Sequence, residues 1–186
     1  MMTLSSCGKG NHSDYSKVYE SYGDIKNYAA TVKVTTNPGT DESVYTANQY
    51  YVAPDLYRID YTSEGMENTS SVLKGNKLYF KGPDGNVTEF NGYVPHEKYY
   101  VFITDFIERY IKTEKAKNNP KGKKTVLELK ENGNDPQRAS MKLFINNKDY
   151  SPEKLVTYND SGDEVIVVEF KNFKMNDGIN KKIFDL

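Results

Sequence analysis

Few side chains in this sequence could bind a metal ion or carry out covalent chemistry. Among 186 residues there is a single cysteine, Cys7, and the only histidines are His12 and His96. A zinc site needs three or four converging nitrogen, sulfur or oxygen ligands, so carboxylates would have to supply most of them here. The sequence contains no HExxH, paired CxxC, Walker or dinucleotide-binding glycine motif. We therefore expect this chain to bind no metal and no cofactor.

Two pairs of acidic residues could in principle hydrolyse a substrate by paired carboxylates, as glycosidases do. They are Glu64 with Glu67 and Asp163 with Glu164, and both pairs lie in turn-like stretches that contain glycine. Acidic residues in such stretches usually face water. Serine catalysis has no support, because neither GxSxG nor a Ser-x-x-Lys at a helix start is present. We expect a non-catalytic protein, and a two-carboxylate hydrolase is the alternative.

Cys7 closes the stretch Leu4-Ser5-Ser6-Cys7 and is followed by the polar segment GKGNHS. An apolar residue, two small residues and a cysteine resemble the lipobox of bacterial lipoprotein signal peptides, whose cysteine sulfur carries a diacylglycerol. A complete signal has a basic region and a longer apolar region, so residues 1–6 are interpreted as the remnant of one. Residues 7–13 are predicted to be the lipidated cysteine and its tether. A stray surface thiol is the alternative.

Composition limits how this chain reaches a membrane and what it binds. Charged residues make up 27 % and hydrophobic residues 37 % of the chain, and the mean hydropathy is −0.77. No run approaches the roughly 18 apolar residues of a membrane span, so membrane attachment is expected to come from two acyl chains on Cys7. The net charge of −1 gives no reason to expect nucleic acid. The length suits one domain, which we place at residues 14–186.

The first part of the domain predicts one helix followed by strands. In SDYSKVYESYGDIKNY, with Ser13 placed to cap the helix, the residues at helical spacing are Tyr15, Val18, Tyr19, Tyr22 and Ile25. The period then changes to two, which predicts strands in YAATVKVTT, SVYTANQYYV and DLYRIDY. Residues that tolerate positive φ predict tight hairpins at Gly75-Asn76, at Asp84-Gly85 and at Asn91-Gly92. This part of the chain therefore reads as an antiparallel meander.

One helix interrupts the strands, in HEKYYVFITDFIERYIKTEK. Its wide apolar stripe consists of Tyr99, Phe102, Ile103, Phe106, Ile107, Tyr110 and Ile111. Polar residues cover the other side of the helix: Asp105, Glu108, Arg109 and Lys112. A stripe of this width must pack on an apolar surface, and we expect that surface to be one face of the sheet.

The last third returns to strands, in KTVLELKEN, ASMKLFINN, EKLVTYND and EVIVVEFKNFKMN. In the final strand, Ile166, Val168 and Phe170 share one face by alternation, whereas Phe173 and Met175 fall on the other. A bulge near Lys171-Asn172 would bring both sets to the same face. The order of elements predicts an α+β fold that is mainly β. We expect a large curved antiparallel sheet, or half-open barrel, with helices packed on its concave face.

The stretch KTEKAKNNPKGKK carries one acidic residue among its lysines, which are Lys112, Lys115, Lys117, Lys121, Lys123 and Lys124. Two interpretations are open: a solvated loop after the helix, or a contact with an anionic polymer, lipid headgroups or an acidic partner.

The C-terminal stretch LVTYNDSGDEVIVVEFKNFKMNDGINKKIFDL resembles the end of the LolA-like lipoprotein-carrier superfamily. The matching features are an acidic turn with glycine at 160–163, a strand at 165–173, and a closing F-x-L segment at 183–186. Upstream, APDLYRIDY and KGNKLYFKGPDGNVTEF resemble the paired strands of that family. The resemblance implies a half-open antiparallel barrel with helices on its concave apolar side. In the soluble carriers of the family, that side holds acyl chains.

The lipobox distinguishes this chain from the soluble carriers, because a tethered protein does not ferry cargo between membranes. The Tyr- and Lys-rich, Trp-free composition resembles the GerS-type spore-germination lipoproteins within the superfamily. This resemblance implies an exported, lipid-anchored, homodimeric protein of a Gram-positive bacterium. It also implies binding and activation of a zinc-dependent N-acetylmuramoyl-L-alanine amidase that modifies spore cortex peptidoglycan, with the zinc held by the amidase.

The alternative is a lipid- or lipoprotein-binding carrier of the LolA type. An activator of an amidase is expected to show an apolar or aromatic patch on its outer surface. A carrier is expected to have a roomy cavity under the helix in YYVFITDFIERYI. The sequence does not indicate which residues contact a partner.

Overall fold

In the computed structural model, the residues described are 20–39, 41–92, 100–112, 117–121, 123–130 and 136–186. Eleven strands of these residues form one antiparallel sheet. The strands are β1 (Asn27–Thr36), β2 (Ser43–Val52), β3 (Leu56–Tyr61), β4 (Ser70–Lys74), β5 (Lys77–Lys81), β6 (Val87–Asn91), β7 (Lys117–Lys121), β8 (Lys124–Lys130), β9 (Ser140–Asn146), β10 (Pro152–Tyr158) and β11 (Glu164–Met175). Helix α1 spans Ile103–Lys112, and a 3-10 helix spans Lys181–Phe184.

The strands lie in the order β6-β5-β4-β3-β2-β1-β11-β10-β9-β8-β7. Strands that follow one another in sequence therefore pair, except β6 and β7, and the first strand pairs with the last at the centre of the sheet. The two edges are β6 and β7, and the segment that carries α1 connects them along the chain. The predicted fold class, a large open antiparallel sheet with a helix on one face, is confirmed.

The alternation of side chains along the strands separates an inner, helix-covered face from an outer face. In β1 the alternate residues Tyr28, Ala30, Val32 and Val34 are at most 5 % exposed and join the main core. On α1 and the residues before it, the buried side chains are Tyr100, Val101, Phe102, Ile103, Phe106, Ile107 and Tyr110. The helix rests on β8 and β9, so the predicted packing of an apolar stripe on the sheet is confirmed.

The predicted bulge lies in β11. Ala29 of β1 is opposite Lys174, whereas Thr31 is opposite Lys171, so β11 has one residue more than β1 over this span. Asn172 takes up the extra length with a φ of 53°, a conformation that asparagine tolerates better than most residues. As a result Phe173 returns to the inner face, where its ring stacks on that of Tyr28 at a centroid distance of 5.2 Å.

The C-terminal segment covers part of the outer face. Phe184, in the 3-10 helix, is 1 % exposed and packs with Val52 and Val72. The guanidinium of Arg58 donates a hydrogen bond to the carbonyl of Ile183 and another to the carboxylate of Asp60 at 2.7 Å. The closing F-x-L segment therefore forms a second, smaller core on the side of the sheet away from α1.

Two predictions about helices differ from the structure, and one about a turn is only partly covered by the described residues. Helical conformation is described at 20–22 and ends there, so Ile25 does not belong to the N-terminal helix; Ser13, Tyr15, Val18 and Tyr19 lie outside the described residues. Ile111, predicted to be in the apolar stripe, is 36 % exposed, because it lies in the last turn of a helix that is shorter than predicted. At the turn expected at Asn91-Gly92, Gly92 has the positive φ that was predicted, 70°; residues 93–99 lie outside the described residues, so a hairpin there stays a prediction.

The stretch interpreted as a solvated lysine loop contains a strand. Lys117–Lys121 forms β7 and pairs with β8 at the edge of the sheet. The sequence KNNPK has no apolar residue and therefore no alternation to signal a strand. Its pairing comes from the neighbouring strand, and its proline is tolerated because β7 is an edge.

Candidate functional site

Large apolar side chains are exposed in the β5–β6 hairpin more often than elsewhere among the described residues. Six large apolar side chains of the described residues are exposed, and three of them lie in this hairpin: Phe80 at 37 %, Val87 at 45 % and Phe90 at 45 %. All five side chains of β6 are exposed. Clustered apolar residues of this kind mark interaction surfaces more often than singly scattered ones do.

The exposed aromatic rings of the hairpin continue the apolar inner face of the sheet. Leu73 of β4 is 3 % exposed and belongs to the main core. It is paired with Leu78, which is in turn paired with Phe90. Residues directly opposite each other in an antiparallel pair share a face, so Phe90 lies on the inner face, as does Phe80, two residues from Leu78. The core face therefore extends beyond the part that α1 covers.

The polar groups of the hairpin fix its shape. On the outer face, the Lys77 ammonium donates to the Glu89 carboxylate at 2.9 Å across the two strands. This hydrogen bond and its charge raise the pKa of Lys77 and lower the pKa of Glu89. In the turn, the backbone N–H of Asn86 donates to Asp84 at 3.0 Å, which lowers the pKa of that carboxyl. Gly85 has a φ of 81°, a value that glycine adopts without strain.

The inner face beneath the helix segment is filled by aromatic side chains. The ring of Phe102 lies 5.0 Å from that of Tyr57 in an edge-to-face contact and 6.3 Å from that of Tyr28. Phe106 is 0 % exposed and stacks on Tyr110 at 5.7 Å. These contacts occupy the place where the carrier alternative predicted a roomy cavity.

A buried hydrogen-bond chain holds the helix segment to the sheet. Gln49 is 0 % exposed, and its side-chain amide donates to the carbonyl of Val101 at 3.2 Å. The Tyr28 hydroxyl donates to the side-chain oxygen of Gln49 at 3.3 Å. Burial raises the pKa of Tyr28 well above its ordinary value, so the phenol stays a neutral donor. The tyrosines of this core thus have a structural role.

The acidic pairs predicted as candidate hydrolase residues lie in two different places, one between β3 and β4 and the other at the start of β11. Glu64 and Glu67 are exposed between β3 and β4. Asp163 and Glu164 line an open cleft of about 640 Å³ that Asp41 also lines. The side chain of Asn159 accepts a hydrogen bond from the Asp163 backbone at 2.8 Å, and the Lys154 ammonium lies 3.3 Å from the Glu164 carboxylate. The structure thus gives these acids partners within the chain or exposure to water.

The remaining predicted site residues either lie outside the described ranges or belong to the lysine-rich stretch. Cys7, His12 and His96 lie outside the described residues. In the lysine-rich stretch, the ammonium of Lys112 binds Glu108 at 2.6 Å and that of Lys124 binds Glu153 at 2.5 Å. These two lysines are neutralised within the chain.

Metal-ligand clusters and membrane-spanning helices are both absent from the part of the chain that the structure describes. Among those residues, no group of three or more histidines, cysteines, aspartates and glutamates is placed to hold a metal ion. None of the described helices is long and apolar enough to cross a membrane.

Sequence reasoning did not identify the exposed hairpin. A signal was present in KLYFKGPDGNVTEF, because both strands of this hairpin carry apolar residues and a long helical stretch follows in the sequence. Among the described residues β6 is an edge strand, and edge strands present backbone groups that can pair with another chain.

Comparison with solved structures shows the same fold in other proteins. One is a chain in the structure of the CwlD amidase from Clostridioides difficile in complex with the GerS lipoprotein. It matches with a TM-score of 0.56 and 21 % identity, over 92 % of this chain and 99 % of that one. The MucA/MucB complex of Pseudomonas aeruginosa matches with a TM-score of 0.55 and 12 % identity, over 93 % of this chain and 59 % of that one.

Sequence comparison identifies the family. The sporulation protein YdcC of Bacillus subtilis (strain 168) is 24 % identical over 190 residues, which include all of this chain. This chain spans 56 % of the length of that relative. The family model described as sporulation protein YdcC-like matches residues 1–184. Together with the structural match to the amidase–lipoprotein complex, this confirms the resemblance seen in the sequence. The chain belongs to the YdcC-like family of sporulation proteins.

Proposed function

We propose that this chain is a non-catalytic, exported lipoprotein that binds and activates a zinc-dependent N-acetylmuramoyl-L-alanine amidase during spore cortex modification, a step needed for germination. The observation that carries the proposal is the fold match, over nearly the whole of both chains, to a chain of a complex between an amidase and a lipoprotein. Membership of a sporulation family gives the biological setting. The exposed hairpin supplies the kind of surface that such a partner requires.

Activation is a matter of linked equilibria. A lipoprotein that binds the metal-loaded amidase more tightly than the metal-free form raises the population of the loaded form. The lipoprotein needs no catalytic group of its own for this purpose. The zinc belongs to the amidase.

The carrier alternative has less support. The residues between the helix segment and the sheet are packed against one another, with Phe106 and Ile103 both 0 % exposed. Native mass spectrometry of the protein as purified tests it directly, because a carrier would retain acyl chains of defined mass.

The proposal is tested by mixing the full 186-residue chain with the purified cortex amidase. Light scattering reports the complex, its stoichiometry and whether this chain forms the homodimer that the resemblance implies. Zinc content and peptidoglycan cleavage are followed in the same samples. A stable complex with raised zinc occupancy and raised cleavage is the expected result, and the lipoprotein alone should cleave nothing. The absence of a complex at micromolar concentrations would exclude an amidase activator.

The anchor has a separate test. In a Gram-positive host expressing the protein with a complete signal peptide, Cys7 should carry a diacylglycerol and the protein should fractionate with membranes. Replacing the sulfur by oxygen, in Cys7→Ser, should release it from the membrane fraction, since two acyl chains provide the anchoring free energy. Equal membrane association of both proteins would show that Cys7 is not the anchor.

A further inference from the structure

The two edges of the sheet differ in how well their sequences prevent pairing with another strand. The edge strand β7 has the sequence KNNPK, with lysine at both ends and Pro120, which has no N–H to donate. Lysine and proline on an edge are the usual means by which natural sheets avoid unwanted pairing. The other edge strand, β6, has the sequence VTEFN and contains neither.

The backbone of β6 is oriented for pairing on its outer side. Two hydrogen bonds frame the β5–β6 pair: Gly82 N–H to Asn86 O and Gly92 N–H to Asn76 O, both 3.0 Å. In an antiparallel pair the hydrogen-bonded positions alternate, so Thr88 and Phe90 direct their N–H and C=O groups towards β5. Val87, Glu89 and Asn91 must direct theirs away from it. Within the described residues, β6 pairs with β5 and with no other strand.

The side chains beside this edge determine what kind of strand it accepts. On the inner face an added strand would meet Phe90, with Phe80 one strand further in. On the outer face it would meet Val87 and Glu89, whose carboxylate forms an exposed ion pair with Lys77 at 2.9 Å. The edge therefore suits an extended segment with an apolar residue facing inward and uncharged or polar residues facing outward.

A second copy of the chain is a poorer occupant of this edge. Antiparallel self-pairing over the full length of β6 places Glu89 directly opposite Glu89 of the other copy, and like charges at that position are destabilising. Shifting the register by two residues sets the Phe90 rings opposite each other. That register runs past Asn91 to Gly92, whose φ of 70° is not that of a strand.

We propose that the amidase binds by adding an extended segment of its own to the β6 edge, with main-chain hydrogen bonds to Val87, Glu89 and Asn91. This inference rests on the proposed function and names the surface through which it operates. The backbone bonds supply the alignment, and an apolar side chain of the added segment covers Phe90 on the inner face.

The test compares two substitutions at one position. Glu89→Pro and Glu89→Ala both remove the carboxylate and its ion pair with Lys77, but only proline removes the outward N–H. Because that N–H does not bond to β5, both variants should melt at similar temperatures. Amidase affinity is measured by calorimetry on the full chain. We expect Glu89→Ala to bind within about threefold of the wild type and Glu89→Pro to bind at least about tenfold more weakly than Glu89→Ala.

A second pair keeps the test usable if Glu89→Pro does not fold. Asn91→Pro and Asn91→Ala make the same comparison at the end of β6, and the same difference in affinity is expected. Equal binding by the proline and alanine variants would overturn the edge as the docking site while leaving amidase binding intact. Failure of the wild-type protein to bind would overturn the proposed function itself. If the proline variants lose self-association and bind the amidase normally, the occupant is a second copy, and the proposal is wrong.

Discussion

The inner face of the sheet has two ends that follow the same alternating apolar pattern but are covered differently. Beneath the helix segment, Phe102 and Phe106 are at most 2 % exposed, and the ring of Phe102 contacts tyrosines of β1 and β3. At the β5–β6 end, Phe80 and Phe90 lie on the same face and are 37 % and 45 % exposed. The buried rings of the first end contribute to stability. The rings of the second end are more exposed to solvent, and exposed aromatic rings are suited to recognition.

This difference makes the two ends separable by mutation. Removal of a ring at the covered end should lower the free energy of unfolding. Removal of a ring at the exposed end should leave folding nearly unchanged and affect binding instead. The predictions that follow run from the largest expected change in stability to the smallest.

Phe106→Ala removes a fully buried ring from the covered end. The lost burial and the cavity left behind should destabilise the protein by about 3–5 kcal/mol, measured by urea denaturation of the full chain. Ile111→Ala on the same helix is the matched control, because that side chain is 36 % exposed. The control should change stability by about 0.5 kcal/mol or less. A similar loss for both variants would mean that the helix does not pack as described.

Phe184→Ala tests the smaller core on the outer face. Its ring is 1 % exposed against Val52 and Val72, and its removal should destabilise the protein by about 2–4 kcal/mol. The neighbouring Lys182→Ala is the control, since Lys182 is exposed. If deletion of the ring has no effect, the C-terminal segment is not part of the cooperative fold.

Tyr28→Phe removes the hydroxyl that bonds Gln49. Loss of this buried hydrogen bond should destabilise the protein by about 1–2 kcal/mol at neutral pH. Because burial raises the folded-state pKa of Tyr28, its contribution is complete below the unfolded pKa of about 10 and falls as pH rises above it. The stability of the wild type should therefore decline more steeply above pH 10 than that of Tyr28→Phe. If the stabilities of the wild type and of Tyr28→Phe fall equally with pH above 10, the Tyr28 hydroxyl is not held neutral by burial.

Phe90→Ser changes the exposed end. Since the ring is 45 % exposed, stability should fall by less than about 1 kcal/mol. Amidase affinity, measured by calorimetry, should weaken by about tenfold or more, as expected for loss of an aromatic contact at an interface. Val44→Ser, at an exposed apolar residue on β2, is the control and should bind normally. If Phe90→Ser and the wild type bind the amidase with equal affinity, the Phe90 ring takes no part in binding it.

Local chemistry explains which parts of the fold could be predicted from sequence. The hairpins at Gly75-Asn76 and Asp84-Gly85 and the bulge at Asn172 depend on residues that tolerate positive φ, and all three are confirmed. The apolar stripe of the helix predicted its packing on the sheet. Prediction failed where pairing depends on a distant neighbour: β7 is polar throughout and is a strand only because β8 lies beside it.

The candidate site was harder to predict than the fold. Apolar alternation in KLYFK and VTEFN indicates strands, but it does not reveal whether another element covers them. That depends on which strands lie beside the hairpin in the fold, and among the described residues β6 has a neighbour on one side only. The outer-face role of Phe184 was likewise invisible, because its partners Val52 and Val72 lie more than a hundred residues away in the sequence.

Hydrogen exchange of the full chain, with and without the zinc-loaded amidase, is the sharpest test of strand addition at β6. We predict that the amides of Val87, Glu89 and Asn91 exchange freely in the protein alone and become protected in the complex, while those of α1 are unchanged. Protection confined to α1 and the covered end of the inner face, with β6 unaffected, would contradict it.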